Sequence, residues 1–248
     1  MNLMHTLLLS AFLVAPAAWS AAREIRDLPL TEILSRHVEA MGGEAAHSAI
    51  RSLRIEATVA LEGGPTHSVT ILKARPNLFR ATFRATDWSL TRGYDGEDVW
   101  TLLVTDKGHR AKPLEPFEEK LIARRAPIEN LLLRARGLDA EVTLAGTERL
   151  FNLNVYRVRV DFGDGHVVDH LIDDEEFRLR RVEQTEPLAD GGRITTLIPS
   201  NYEYVGGVLF PWREIQLSDG ERHSVVTVKN IEINPGVLLD AFRPPPQQ

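Results

Sequence analysis

Apolar side chains recur at every second position through most of residues 53–234, and this alternation constrains the chain more than any other feature. A period of two puts alternate side chains on opposite faces of a strand, one face apolar and the other polar. Leu53, Ile55, Ala57, Val59 and Leu61 share a face, with Arg54, Glu56 and Thr58 between them. Gly63-Gly64-Pro65 turns the chain into a second strand over 67–74. Phe79, Ala81, Phe83 and Ala85 alternate with Arg80, Thr82 and Arg84 in a third, and Asp95-Gly96 marks a hairpin between two more. Later, Tyr156, Val158, Val160 and Phe162 alternate with Arg157, Arg159 and Asp161. Gly163-Asp164-Gly165 leads into 166–173, and further strands read at 177–186, 193–204, 209–218 and 223–234.

Two stretches have a helical period instead. Leu30, Ile33, Leu34, His37, Val38 and Met41 recur near 3.6 residues, with Thr31 as N-cap and Gly42-Gly43 as stop. Residues 113–136 carry one apolar stripe at Phe117, Leu121 and Ile122 and another at Ile128, Leu131, Leu132 and Ala135. Pro127 punctuates that segment and Gly137 closes it. No low-complexity linker or internal repeat divides the chain, so the expectation is one α+β domain over 23–248. Its architecture is a large antiparallel sheet with an N-terminal helix and central helices on one face. A sheet of about ten strands must curl, and its inner face then needs an apolar cover.

The chain has 248 residues and no cysteine, which excludes a disulfide framework, a thiolate metal site, a Cys nucleophile and a lipidated N-terminal Cys. A charge of −6, from 29 basic and 35 acidic side chains, gives no electrostatic ground for a nucleic-acid partner. The first 22 residues hold no Lys, Arg, Asp or Glu, and run from Leu7-Leu8-Leu9 through Val14 to the small residues around Ala17-Ala18 and Ala21-Ala22. The apolar run is shorter than the roughly 20 residues of a membrane span. Residues 1–22 therefore read as a cleaved signal peptide, the alternative being an uncleaved anchor or a docked apolar tail. No later stretch is apolar enough to cross a membrane, so the expectation is a soluble, exported protein.

Three short motifs are more specific. Lys73-Ala74-Arg75-Pro76-Asn77-Leu78-Phe79 is followed by Tyr94-Asp95-Gly96-Glu97-Asp98-Val99-Trp100, and the chain nears its end with Asp240-Ala241-Phe242-Arg243-Pro244-Pro245. In this order and spacing they resemble the periplasmic outer-membrane lipoprotein carriers, the LolA-like superfamily. Tyr202-Glu203-Tyr204-Val205-Gly206-Gly207 looks more like an uncharacterised branch of that family. The resemblance implies an incomplete half β-barrel whose concave apolar face, closed by lid helices, receives acyl chains. It implies as partners the acyl chains of lipoproteins or another lipid, an inner-membrane ABC exporter and an outer-membrane receptor. The receptor branch of the family needs an N-terminal Cys for its anchor, so only the soluble carrier fits this chain.

The same resemblance assigns roles. Arg75 and Phe79 match cavity-facing positions, and the family's Arg holds the lid through its backbone carbonyls; a strand-end surface arginine is the plainer account of Arg75. Phe79, Phe83, Trp100, Leu121 and Leu132 are the candidate ligand contacts, with ordinary core packing equally open for Phe79, Phe83 and Trp100. The stripes of 113–136 are expected to face the sheet, with Arg124, Arg125, Arg134 and Arg136 pointing outward as a solvated face or toward lipid headgroups or an acidic partner.

Other constellations carry less. His166 and His170 share a strand face but stand about 13 Å apart at 3.3 Å per residue, too far to share a metal. Asp173-Asp174-Glu175-Glu176 lacks the spaced ligands and central glycine of a calcium loop and reads as an acidic hairpin turn. There is no G-x-S-x-G elbow, P-loop or G-x-G-x-x-G. The expectation is a monomeric periplasmic carrier without catalytic residues, metal or cofactor. A lipid- or lipoprotein-sensing regulatory module is the alternative, and a hydrolase or metal enzyme the third class.

Overall fold

Two antiparallel meanders meet along one seam. In the computed structural model, which describes residues 25–188 and 191–245, the first meander comprises β1 (Ser52–Leu61), β2 (Thr66–Ala74), β3 (Leu78–Arg84), β4 (Trp88–Tyr94), β5 (Val99–Thr105) and β6 (Gly108–Arg110). The second comprises β7 (Glu141–Leu150), β8 (Leu153–Asp161), β9 (Val167–Asp173), β10 (Leu179–Leu188), β11 (Gly191–Val205), β12 (Val208–Ser218) and β13 (Glu221–Ile233). β1 pairs with β13, so the order is β6-β5-β4-β3-β2-β1-β13-β12-β11-β10-β9-β8-β7, a thirteen-stranded sheet among the described residues. β6 and β7 are its free edges, and the curled sheet stays unclosed. The signal peptide read at 1–22 lies outside the described residues.

The seam is apolar on the inner face, with Leu53 opposite Ile233 and Ile55 opposite Ile231. Following the registers outward, the inner face carries Lys73, Phe79, Ala81, Phe83 and Arg92 on one wing. On the other it carries Glu214, Gln216, Leu197, Gln184, Val182, His170 and Val158. Three helices lie on this face: α1 (Leu30–Ala40), α2 (Gly43–Ala49) and α3 (Pro116–Arg125). Beneath α1 and the 3₁₀ turn Leu132–Gly137, Ile33 and Leu132 pack on Tyr156, Val158, Val160 and Val182. Beneath α2, Ile50 joins Leu53, Val208 and Ile231, with Ile128 and Trp212 at its margin.

Differences from the sequence reading have local causes. α1 begins at Leu30 with Pro29 at its cap and no side-chain capping bond, so Thr31 is inside the helix. α1 does end just before Gly42-Gly43, but a second helix, α2, starts at Gly43. Gly42 has φ +117, and a Cβ there would lie 2.3 Å from the Gly207 carbonyl oxygen, so glycine is required by both conformation and contact. β6 has three residues, and β7 is an exposed edge whose alternation breaks at a bulge before Gly146, which hid both strands.

The outer face is charged on one wing and covered on the other. Arg157 pairs with Glu148, Asp169 and Glu183, and Arg159 pairs with Asp169 across β7–β10. Asp173 accepts bonds from the backbone N–H groups of Glu175, Glu176 and Arg178 and from Arg180, which makes the acidic run a built hairpin turn. On the opposite wing Phe242, fully buried, seats the C-terminal segment against Ala74 and Leu78.

Two predictions follow from this packing. Trp100 lies over Gly93, where a Cβ would stand 2.1 Å from the indole, and the indole N–H donates to the Phe242 carbonyl at 2.7 Å. Gly93→Ala must displace a pinned ring and is expected to cost about 1–3 kcal/mol in denaturant unfolding. His37 and His170 are buried in the core, His37 donating from Nδ1 to the Phe177 carbonyl at 2.8 Å. Burial lowers His37 and pushes His170 down to about 4, against 6.5 for a free imidazole. The unfolded chain therefore binds the extra protons, so the stability is complete above about pH 6.5 and is lost as pH falls toward 4. Calorimetric melting temperatures should decline across that window; a flat profile would contradict buried neutral imidazoles.

Candidate functional site: a cavity beneath α3

α3 starts where its sequence says it must. Pro116 occupies the first helical position, the Glu115 side chain accepts from the Glu118 backbone, and the Glu118 carboxylate accepts the Glu115 N–H at 3.1 Å. Its period places Phe117, Glu118, Leu121, Ile122 and Arg125 on one face, and that face roofs a cavity of about 780 Å³. The floor is the inner face of the sheet, with Arg92 on one side and Glu186, Thr195, Leu197, Glu214 and Gln216 on the other. Ser218, Asp219 and His223, near the β12–β13 turn, complete its rim.

The cavity is amphipathic. Leu121, Ile122, Phe117 and Leu197 supply apolar wall, but charged side chains cross it in pairs. Arg92 approaches Glu118 at 3.7 Å and Arg125 approaches Glu186 at 3.6 Å, each joining the sheet to α3. Ser224 Oγ donates to Gln216, whose amide donates to Glu214 at 2.8 Å; burial raises the Glu214 carboxyl above the usual range. An apolar inner face is thus found under α1 and α2 and not under α3.

Polar contacts also tie down the C-terminal end of α3. Lys73 Nζ donates to the carbonyls of Arg125 at 2.7 Å and Pro127 at 2.8 Å, while Ala126 between them is fully buried. Burial of the ammonium, with Arg134 and Arg125 nearby, pushes the Lys73 pKa down to about 8. In the same last turn, Arg124 donates to Asp164 at 2.8 Å and to His166 Nδ1 at 2.9 Å, with its guanidinium 4.0 Å from the centre of the Phe162 ring. The Arg124 hydrogen bond holds the Asp164 carboxyl well below the usual carboxylate range. Burial and the neighbouring guanidinium groups push His166 down to about 4, so it accepts as a neutral imidazole.

The expected site residues divide accordingly. Leu121 lines the cavity. Phe79 and Phe83 lie on the inner face beside it, Phe79 with the Lys73 ammonium 5.9 Å from its ring centre, and neither is part of the lining. Leu132 is core, packed with Ile33 and Tyr156. Trp100 faces outward, because the neighbouring Thr101 stands opposite Arg92 on the inner face. Arg75 donates to the carbonyls of Ile50 at 2.8 Å and His47 at 3.0 Å, at the end of α2, and pairs with Glu129 between α3 and the 3₁₀ turn. The carbonyl-holding cation of the central segment is Lys73, two residues earlier. The arginines expected to point outward largely do not: Arg124, Arg125 and Arg134 make the contacts above or cap the Arg124 carbonyl, and Arg136 alone of the four is exposed without such a bond among the described residues. The helical period foretold this for Arg125, which lies four and eight residues beyond Leu121 and Phe117.

No protein-family model and no curated protein matches the chain. Its backbone is similar to that of a LolA-superfamily protein from Nitrosomonas europaea, at TM-score 0.59 and 13% identity over 88% of this chain and 99% of that one. A DUF1329-family protein from Desulfovibrio piger aligns at TM-score 0.58 and 12% identity, over 87% and 97% of the two chains. A putative outer-membrane lipoprotein-sorting protein domain from Vibrio parahaemolyticus aligns at 0.54 and 12%, over 84% and 95%. Among the described residues no helix is long and apolar enough to cross a membrane. The open thirteen-stranded sheet, its inner-face helices and these alignments together give the chain the LolA-like fold.

Proposed function

We propose that this protein is a periplasmic carrier that takes an acylated cargo, a lipoprotein or a lipid, into the cavity beneath α3. The observation that carries this reading is the cavity itself. An inner sheet face otherwise sealed by α1 and α2 is left open under a short helix, with Leu121, Ile122, Phe117 and Leu197 around the space. Its volume falls in the range of about 300–1,000 Å³ occupied by small-molecule sites. Transfer of an acyl chain out of water returns about 0.8 kcal/mol per buried CH₂, so a partly apolar pocket of this size offers real but reversible binding.

α3 is the lid. It is fastened by discrete polar contacts, Lys73 to two carbonyls, Arg124 to Asp164, Arg92 to Glu118 and Arg125 to Glu186, with Ile122 its one buried apolar anchor. Partly exposed ion pairs contribute about 0–1 kcal/mol each, so the lid opens without disturbing the core. Arg75 steadies the lid's downstream end through Glu129. Arg92, Glu118, Arg125 and Glu186 are occupied in lid-to-sheet pairing, and the charged groups of the cavity do not converge on a reacting position, which favours carriage over chemistry. Exchange with an inner-membrane ABC exporter and an outer-membrane receptor is the partnership that the family resemblance of the sequence motifs implies for such a carrier.

Lipid extracted from protein purified out of the periplasm should contain a stoichiometric acyl species by mass spectrometry, and the stripped protein should bind a fluorescent fatty acid. An empty protein that binds none would overturn the carrier reading. Leu121→Asn is expected to weaken that binding about tenfold, the worth of roughly half a buried leucine, with the melting temperature little changed. Lys73→Met keeps the stem and removes both carbonyl contacts. Stopped-flow release of the probe should accelerate several-fold in that variant, and unchanged release would show that Lys73 does not hold the lid.

A further inference from the structure

The charges in the cavity do not balance. Arg92 and Arg125 face Glu118, Glu186 and Glu214, which leaves one carboxylate in excess. Glu118 has Arg92, and Glu186 has Arg125 and the amide of Gln184 at 3.0 Å. At the rim, Asp219 accepts the Ile194 N–H at 2.9 Å, and Arg193 is exposed. Glu214 is the remainder. Among the described residues its hydrogen bond is to the neutral Gln216 amide and it forms no ion pair; the nearby cation is Arg125, whose field it shares with Glu186.

The arrangement around Glu214 is oriented. Ser224 donates to the Gln216 carbonyl oxygen, which turns the Gln216 amide nitrogen toward one oxygen of Glu214. Among the described residues no donor meets the other oxygen, and Glu214 lines the cavity together with the paired Arg125 and Glu186. A half-buried carboxylate in such a place is costly unless a cation meets it. Burial raises the Glu214 carboxyl above the usual range while the Gln216 amide and Arg125 act against that shift, so a cation arriving at Glu214 favours its ionised form.

We infer that Glu214 is the recognition point for a protonated amine, so that the cavity selects amphiphiles whose head carries an ammonium next to the acyl chain. This rests on the carrier reading and specifies the cargo's polar end. The ammonium sits against the free oxygen of Glu214 and within reach of the field of Glu186, and the chain runs along Leu121, Ile122 and Leu197. A carboxylate or phosphate monoester head placed there faces an excess negative charge, while an uncharged hydroxyl head gains neither attraction nor repulsion.

The test uses three amphiphiles with the same twelve-carbon chain, dodecylammonium, dodecanol and dodecanoate, titrated calorimetrically into delipidated protein below their micellar concentrations at about neutral pH. Dodecylammonium is expected to bind about tenfold more tightly than dodecanol, with dodecanoate weakest, and Glu214→Gln should bring the three affinities together. In the wild-type protein, the Glu214 carboxyl ¹³C resonance should shift with dodecylammonium and stay in place with dodecanol, a readout independent of how the variant folds. Equal affinities, or dodecanoate tightest, overturn the amine inference and leave the carrier reading standing. Binding of none of the three overturns both.

Discussion

Everything in this structure depends on the pairing of β1 with β13. The contact joins residues 53–61 to 224–233, nearly the whole length of the described chain, and without it there are two separate meanders, neither broad enough to enclose anything. Closing so long a loop is entropically expensive only logarithmically in its length, but the closure must precede the contacts that reward it. The apolar ladder at the seam, Leu53 with Ile233 and Ile55 with Ile231, supplies that reward directly, and α2 then covers it. The motif strand β2 lies beside this seam, which is why Lys73 and Arg75 reach both α2 and the segment after α3.

The inner face has two regimes. Where α1, α2 and the 3₁₀ turn lie on it, branched aliphatic side chains pack together into buried clusters. Where α3 lies on it, arginines, carboxylates and amides alternate with a few leucines and a cavity remains. Cohesion in the first regime scales with apolar area and is hard to interrupt locally. In the second it consists of contacts worth little individually and screened by salt. A helix held that way belongs to the part of a protein that opens at low free-energy cost. The division between apolar cover and charge-paired cover is therefore written in side-chain chemistry, strand by strand, on one continuous sheet.

Much of this was legible in the sequence, and the failures are instructive. Alternation located eleven of the strands because each buries one face, and it lost β6 and β7 because edge strands bury little. Parity put Phe79, Ala81 and Phe83 on a common face correctly. The same parity, carried from β4 into β5, would have turned Trp100 outward, but that step needs the register of Gly93 against Trp100, and a sequence does not print register. Lys73 escaped notice since a lysine on a strand normally signals solvent; its place beside the seam is a tertiary fact. Glu214 and Gln216 were equally silent, because polar residues two apart on a strand read as an outer face until the sheet is seen to curl around them.

That last point bears on how a carrier lets go. A wholly apolar pocket under a wholly apolar lid would gain about 0.8 kcal/mol for every methylene it hid, and a long acyl chain would then leave only by an equally favourable route. A lid that pairs charges with the floor behaves differently. When cargo enters, the lid-to-floor pairs are the contacts it must displace, so part of the acyl burial is offset by broken ion pairs, and the net affinity falls into a range where a receptor can compete. A ligand shifts an equilibrium between closed and open forms only by its differential affinity for them. Here the closed form is favoured by a handful of weak contacts, so a modest difference in affinity suffices. On the proposed carrier reading, the charged cavity thus reconciles two demands, to shelter a greasy load from water and to give it up.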